Sequence, residues 1–263
     1  MIRINKDLCT GCGACVSDCI SGVLSITQGK AQVFDECLQC GHCIAICPQA
    51  APSISVYSDE PIEYHSETFD IPTQNMLNTI KFRRSVRQFK EQPLSYDDLH
   101  LLIDAAAHTP TAKNAQACRF VFIQDSLEDL KQTIWSNLRS AFEEQRELPI
   151  PQESVQNFLN LREGEHPQDY LFRNAPAVLC IQAPDPVDAG LAASAIEMVG
   201  TTLGIGVLYN GYLRRTIAAM EDIQAYLDMD LEEKPLVVCM LMGYSDVKYQ
   251  RTAPRRNPSV VLR

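Results

Sequence analysis

The sequence predicts an α+β chain in two parts: a small cysteine-rich unit over residues 1–57 and a larger helix-rich domain over residues 76–263, joined by an acidic connector at 58–75. Three observations lead there. Eight of the eleven cysteines fall in two copies of one spacing. The connector has a composition unlike either flank. Beyond it, long stretches of helical apolar periodicity outweigh a few short apolar runs.

The cysteines are Cys9, Cys12, Cys15 and Cys19, then Cys37, Cys40, Cys43 and Cys47 followed by Pro48. The second set repeats the first at an offset of 28 residues (Cys9 to Cys37), the mark of an internal duplication. A disulfide framework needs an export route, and MIRINKDLCTGC has no apolar leader core. Zinc prefers two separated ligand pairs to four crowded thiols. Each copy reads C-x2-C-x2-C-x3-C, which resembles the bacterial ferredoxins that carry two 4Fe-4S clusters. The resemblance implies that Cys9, Cys12, Cys15 and Cys47 hold one cluster, and Cys37, Cys40, Cys43 and Cys19 the other. Ile20 stands where a proline often follows the fourth cysteine, a departure that touches no ligand.

Between the repeats, Val23 to Phe34 predicts a hairpin turning near Gly29, and Ile2 to Ile4 is expected to pair with Ile54 to Val56. Gly11, Gly13 and Gly41 lie between ligands, where a missing Cβ lets backbone N–H groups approach cluster sulfur. His42 is expected to be an exposed loop imidazole. The connector, SDEPIEYHSETFDIPTQN, has five acids, two prolines and no Lys or Arg, and reads as solvated and extended.

About 200 residues remain, enough for one domain with a substantial core. The net charge of −10 argues against nucleic acid as a partner, and no apolar run approaches a membrane span. A reducing cytoplasm is the expected compartment. Ser95 with Asp98, and Ser126 with Asp129, predict capping boxes that open helices. Ala189 to Leu203 is apolar on nearly every side and predicts a helix buried in a core or between subunits. Strands are predicted at Phe120 to Ile123, Ala177 to Ile181, Val207 to Tyr209 and Leu236 to Met242.

Three polar segments stand out from this frame. KFRRSVRQFK (Lys81 to Lys90) sets five cations around Phe82, Val86 and Phe89 at helical spacing. TPTAKNAQACRF (Thr109 to Phe120) is irregular ahead of a strand, and KYQRTAPRRNPSVVLR closes the chain. Their order resembles the FMN-dependent nitroreductase family: R-R-S-x-R-x-F, then P-T-A-x-N-x-Q, then a late G-Y and a basic P-R-R tail. The chain as a whole is thus similar to a ferredoxin–nitroreductase fusion.

That resemblance implies a site. Arg83, Ser85 and Arg87 match contacts to the FMN phosphate and ribityl chain, with Arg255 and Arg256 approaching from the tail, and Arg84 occupies a motif position that in relatives also contacts FMN. Arginine suits a phosphate dianion because it donates two parallel charge-assisted bonds. Asn114 matches the asparagine that bonds the flavin ring, with Gln116 beside it, and the backbone of Tyr209, Asn210 and Gly211 lies against the ring. Ala117–Cys118 replaces the Pro-Trp of many relatives, and Asn210 replaces an acidic residue of one large subgroup. Cys118, Cys180 and Cys239 read as packing residues, and His65, His100, His108 and His166 as surface or packing residues. A lid is expected within Glu143 to Asp169.

The resemblance further implies an oxidoreductase with no catalytic side chain of its own, since the chemistry resides in the cofactor. An intertwined homodimer, a small-molecule acceptor such as a nitroaromatic or quinone, and an external donor complete the expectation. Gly204, Gly206 and Gly211 lack Rossmann spacing, which favours reduced ferredoxin over NAD(P)H as that donor. Two other classes share these cofactor contacts: a non-catalytic electron carrier or redox sensor, and an ene-reductase or reductive dehalogenase.

Overall fold

The computed structural model describes residues 2–263 and divides into two compact units, Met1–Ile71 with Thr111–Ala115, and Pro72–Pro110 with Gln116–Arg263. In the first unit the chain runs β1 (Ile2–Ile4), α1 (Ala14–Ser17), β2 (Leu24–Thr27), β3 (Lys30–Val33), α2 (His42–Ala45), β4 (Pro52–Ile54) and α3 (Ser66–Phe69). β2 and β3 form the expected hairpin, closed by Gln28 and Gly29, both at positive φ. β1 pairs antiparallel with β4, but the register is Ile2 to Ile54 and Ile4 to Pro52. The strand thus precedes the predicted 54–56, because Ile54 and Ala51 are the residues that fill the unit's core. The connector is not wholly extended, since it contains α3.

The duplication is visible in the backbone. Gly11, Gly13 and Gly22 have φ of 74°, 80° and 64°, and their counterparts 28 residues on, Gln39, Gly41 and Ala50, have 55°, 77° and 47°. Gly13 and Gly41 each open a one-turn helix that carries the third cysteine of its set. Glycine is required at Gly11, where a Cβ would meet the Gly29 carbonyl oxygen at 2.1 Å.

The second unit runs α4 (Thr73–Phe82), α5 (Tyr96–Ala107), β5 (Arg119–Ile123), α6 (Leu127–Glu143), α7 (Gln152–Glu163), β6 (Ala177–Gln182), α8 (Pro186–Thr202), β7 (Ile205–Tyr209), α9 (Gly211–Ala218), α10 (Glu221–Tyr226) and β8 (Leu236–Tyr244). Its four strands form one antiparallel sheet in the order β5-β6-β8-β7. β6 reads as an unbroken apolar run because both faces are covered. Val178 and Cys180 face the core built with α6, α7, α9 and α10, whereas Ala177, Leu179 and Ile181 face the core built with α5 and α8. Cys180 lies directly opposite Cys239, both buried, as packing residues should be.

Several local expectations change. Ser95 caps α5 by accepting from the Asp98 N–H, but the Asp98 carboxylate accepts from the Tyr244 hydroxyl at 2.5 Å rather than closing the box. Ser126 makes no side-chain cap, and α6 is held instead by the burial of Leu130, Ile134, Trp135 and Leu138. Residues 152–163 form no open lid: Val155, Phe158 and Leu159 of α7 are buried in the core. α8 matches the predicted buried helix and adds two buried acids, Asp188 and Glu197.

Candidate functional site: a cysteine cradle and an arginine-lined segment

The first unit gathers its thiols around a hollow. Cys9, Cys12, Cys15 and Cys47 line it together with Gly11, Gly13, Ala31 and Ala51, and Cys19 is absent from this lining. This is the crossed arrangement in which the fourth cysteine of one repeat serves the other. In the second set, burial first, and then Cys37, Cys40 and Cys15, push the Cys43 thiol up to about 11. Backbone N–H groups point at ligand sulfurs: Ala31 to Cys9 at 3.3 Å, Ala51 to Cys47 at 3.4 Å and Gln39 to Cys37 at 3.2 Å.

Among the described residues no three His, Cys, Asp or Glu converge on a single ion. Four thiols around one hollow fit a cubane, which takes one thiolate on each of its four irons. His42, the first residue of α2, is exposed, as expected of a loop-side imidazole.

In the second unit the Lys81 to Lys90 segment departs from the helical expectation. α4 ends at Phe82, Arg83 is extended (φ −60°, ψ 143°), and the following chain runs beside β7. Ser85 bridges Val207 and the Val86 N–H donates to the Val207 carbonyl at 3.0 Å. Val86 is buried over Gly206, where any Cβ would lie 2.6 Å from the Val86 side chain. The free carbonyls of a sheet edge and the absent Cβ override the helical spacing of Phe82, Val86 and Phe89.

This path sets three arginines in succession at the edge of β7. Arg83 Nη1 donates to Glu197 Oε1 on α8 at 2.7 Å, with the Glu197 side chain 7% exposed and the Arg83 side chain 40% exposed. Arg84 Nη1 donates to the Arg83 carbonyl at 2.6 Å, and its Nη2 is buried without a hydrogen-bond partner. Arg87 is exposed and donates to the Ser85 carbonyl at 3.2 Å. Tyr209, at the end of β7, lies near the same carboxylate: burial first, and Glu197 second, push its hydroxyl well above the ordinary tyrosine range, with Arg83 opposing. A buried orphan guanidinium nitrogen, with the exposed Arg87 and the half-exposed Arg83 close to it in the chain, is a donor set suited to a phosphate-bearing group.

The remaining predicted residues are placed as follows. Asn210 caps α9, accepting from the Leu213 N–H at 2.9 Å and donating to the Leu171 carbonyl at 2.7 Å, so its side chain serves the fold. Gly211 is the first residue of α9. Asn114 sits in a single 3-10 turn (Ala112–Asn114) that groups with the first unit, where its amide donates to the Gln39 carbonyl at 3.1 Å. Gln116 follows at positive φ (48°) in the second unit. Arg255 and Arg256 lie on an exposed terminal stretch without secondary structure. Cys118 is half-buried, and burial raises its thiol. Glu197 was not singled out by sequence reasoning, although one carboxylate inside the run AASAIEMVG needs a buried partner.

The nitroreductase family profile matches residues 80–244, and that of a 4Fe-4S dicluster domain matches residues 1–51. The chain belongs to the nitroreductase family, with an N-terminal 4Fe-4S domain ahead of it. An NADPH-dependent oxidoreductase of Staphylococcus saprophyticus is 25% identical over 153 residues, covering 57% of this chain and 59% of the relative. An FMN reductase (NADPH) of Bacillus subtilis is 21% identical over 151 residues, with the same coverage. The chain therefore spans under two thirds of the length of these curated relatives. Among solved structures, a nitroreductase with bound FMN from Bacteroides fragilis superposes with a TM-score of 0.57 at 20% identity, covering 72% of this chain and 100% of that one. This likeness establishes the fold.

Proposed function

We propose that the protein is an FMN-dependent oxidoreductase that takes single electrons through two 4Fe-4S clusters and delivers them in pairs to a small organic acceptor such as a nitroaromatic or quinone. The observation that carries the flavin reading is the arginine-lined edge of β7, with the buried, unpartnered Arg84 Nη2 between Arg83 and Arg87. In this reading Arg83, Arg84, Ser85 and Arg87 hold the phosphate and ribityl chain, and Arg255 and Arg256 add charge from the tail. Gln116 addresses the ring, as does the backbone of Tyr209, Asn210 and Gly211, while the Asn114 amide, bonded to the Gln39 carbonyl, is not assigned to it. When bound, FMN supplies the two-electron reductant and 4Fe-4S clusters supply one electron each. The side chains bind, orient and exclude water, and none is assigned a catalytic proton transfer.

The donor in this proposal is an external low-potential protein such as reduced ferredoxin. NADPH is the second reading, favoured by the names of the two curated relatives. The site is proposed to work as a homodimer in the cytoplasm. Met76, Leu77, Ile80 and Phe82 of the ten-residue α4 are all at least 40% exposed. A helix that short is marginal in water and gains from a covering surface, which a second copy supplies. Among the described residues no helix is long and apolar enough to cross a membrane.

The test is an anaerobic assay of cluster-loaded protein and its Cys12→Ser variant, with reduced ferredoxin, NADH and NADPH compared against nitro, quinone and enone acceptors. Ferredoxin-driven flavin bleaching that is lost in Cys12→Ser supports the proposed flow. Full-speed bleaching by NADPH in that variant, with none by ferredoxin, would establish the second reading instead. Protein that binds FMN yet turns over no acceptor would be an electron carrier.

A further inference from the structure

We propose that the two clusters have unequal potentials, and that the one held by Cys9, Cys12, Cys15 and Cys47 is reduced first. This rests on the reading above that the N-terminal unit carries both clusters.

The two repeats share backbone and ligand spacing but not charge. On the first set, Lys30 Nζ donates to the Cys9 carbonyl at 2.6 Å. Lys6 Nζ donates to the Ala31 carbonyl at 2.5 Å, and the Ala31 N–H in turn donates to the Cys9 sulfur at 3.3 Å. Two ammonium groups are thus fixed within one residue of a ligand, against the exposed carboxylates of Asp7, two residues before Cys9, and Asp18, three after Cys15. The second set lacks such cations. Asp35 and Glu36 precede Cys37, Asp18 precedes Cys19, and although Lys113 belongs to this unit beside Asn114, which donates to the Gln39 carbonyl, among the described residues no Lys or Arg donates to residues 32–47.

An added electron makes a cluster more negative, so fixed cations stabilise the reduced form and carboxylates oppose it. Hydrogen bonds to sulfur act in the same direction, because they offset charge on the thiolates. Such bonds reach both sets, from Ala31 to Cys9 and Ala51 to Cys47 in the first and from Gln39 to Cys37 in the second. The fixed ammonium groups are what raise the potential of the first cluster relative to the second. The unit is then a graded relay in which the first cluster fills and holds an electron while the second exchanges it.

The experiment is an anaerobic, EPR-monitored redox titration of the full chain, preceded by iron and sulfide analysis. Two one-electron steps are expected, separated by at least about tenfold in electron partition, or about 59 mV. Lys30→Gln should lower the upper step alone and shrink the partition by about threefold or more, while Lys30→Arg restores it. Lys6→Gln repeats the test if Lys30→Gln loses iron. Coincident steps in the wild type, or a Lys30→Gln shift confined to the lower step, would overturn the proposal. Iron and sulfide for only one cluster would overturn the two-cluster reading along with it.

Discussion

Removing Arg83 should expose what the buried carboxylate beneath it costs. In Arg83→Ala, Glu197 keeps a side chain only 7% exposed and loses the guanidinium at 2.7 Å. Breaking a fully buried pair costs about 3–5 kcal/mol, whereas an exposed pair is worth about 0–1 kcal/mol. The Arg83 side chain is 40% exposed, so solvent screens the interaction and about 2 kcal/mol is the reasoned loss. For a domain of this size that lowers Tm by about 4–8 °C. Trp135, the chain's one tryptophan, is buried in the second unit's core, so its fluorescence reports this domain's unfolding. Adding Glu197→Gln to Arg83→Ala should recover more than half of the loss, because a neutral amide tolerates burial better than an unpaired carboxylate. Flavin affinity should not recover with it, since the phosphate contact proposed for Arg83 would still be missing. An Arg83→Ala midpoint within about 1 °C of wild type, or no recovery in the double variant, would refute the idea that Glu197 depends on Arg83.

Other substitutions test neighbouring steps. Gly11→Ala places a Cβ 2.1 Å from the Gly29 carbonyl oxygen at a φ of +74°, so iron content should fall by more than about half; full iron loading would contradict the tight approach of these loops. Gly206→Ala drives a Cβ to 2.6 Å from Val86, which should cost about 1–3 kcal/mol and lower FMN occupancy by displacing the arginine segment from β7. Arg87→Ala should weaken FMN binding by about 1.5–3 kcal/mol without changing iron content, and undiminished flavin occupancy would remove Arg87 from the site. Tyr209 titrates above its unfolded value, so the folded state holds its proton longer and loses stability as pH rises past about 10. Tyr209→Phe should flatten that alkaline decline of Tm, and an unchanged profile would show that this hydroxyl does not carry it.

The parts of the fold that were legible in the sequence are those set by local rules. Cysteine spacing, the 28-residue offset and the Gln28–Gly29 turn depend on residues close in the chain, and the four strands of the larger sheet lie where their apolar runs fall. What misled was local periodicity contradicted from far away. Phe82, Val86 and Phe89 have helical spacing, yet the carbonyl of Val207 captures Val86 and leaves the segment extended. Ser126 has the sequence of a cap without its geometry, and α7 occupies a stretch whose charge and proline content suggested a lid.

Glu197 shows where reading by pattern stops. The helix around it was recognised as buried because its neighbours are small and apolar, and that same density of Ala, Ile, Met and Val made one carboxylate look incidental. A charge inside such a helix cannot be incidental, because desolvating it without a partner would outweigh the packing it joins. Its partner lies 114 residues earlier, in a motif chosen for its cations. A buried acid in one segment and a supernumerary arginine in another are two halves of one constraint. Lys6 and Lys30 pose the same problem in the smaller unit: each reads alone as a surface lysine, and only the fold brings them to the loop of Cys9 and Ala31. In both units the residues proposed to bind ligands announce themselves by motif, while the charges bonded to them or to their loops are separated in sequence and converge through tertiary packing.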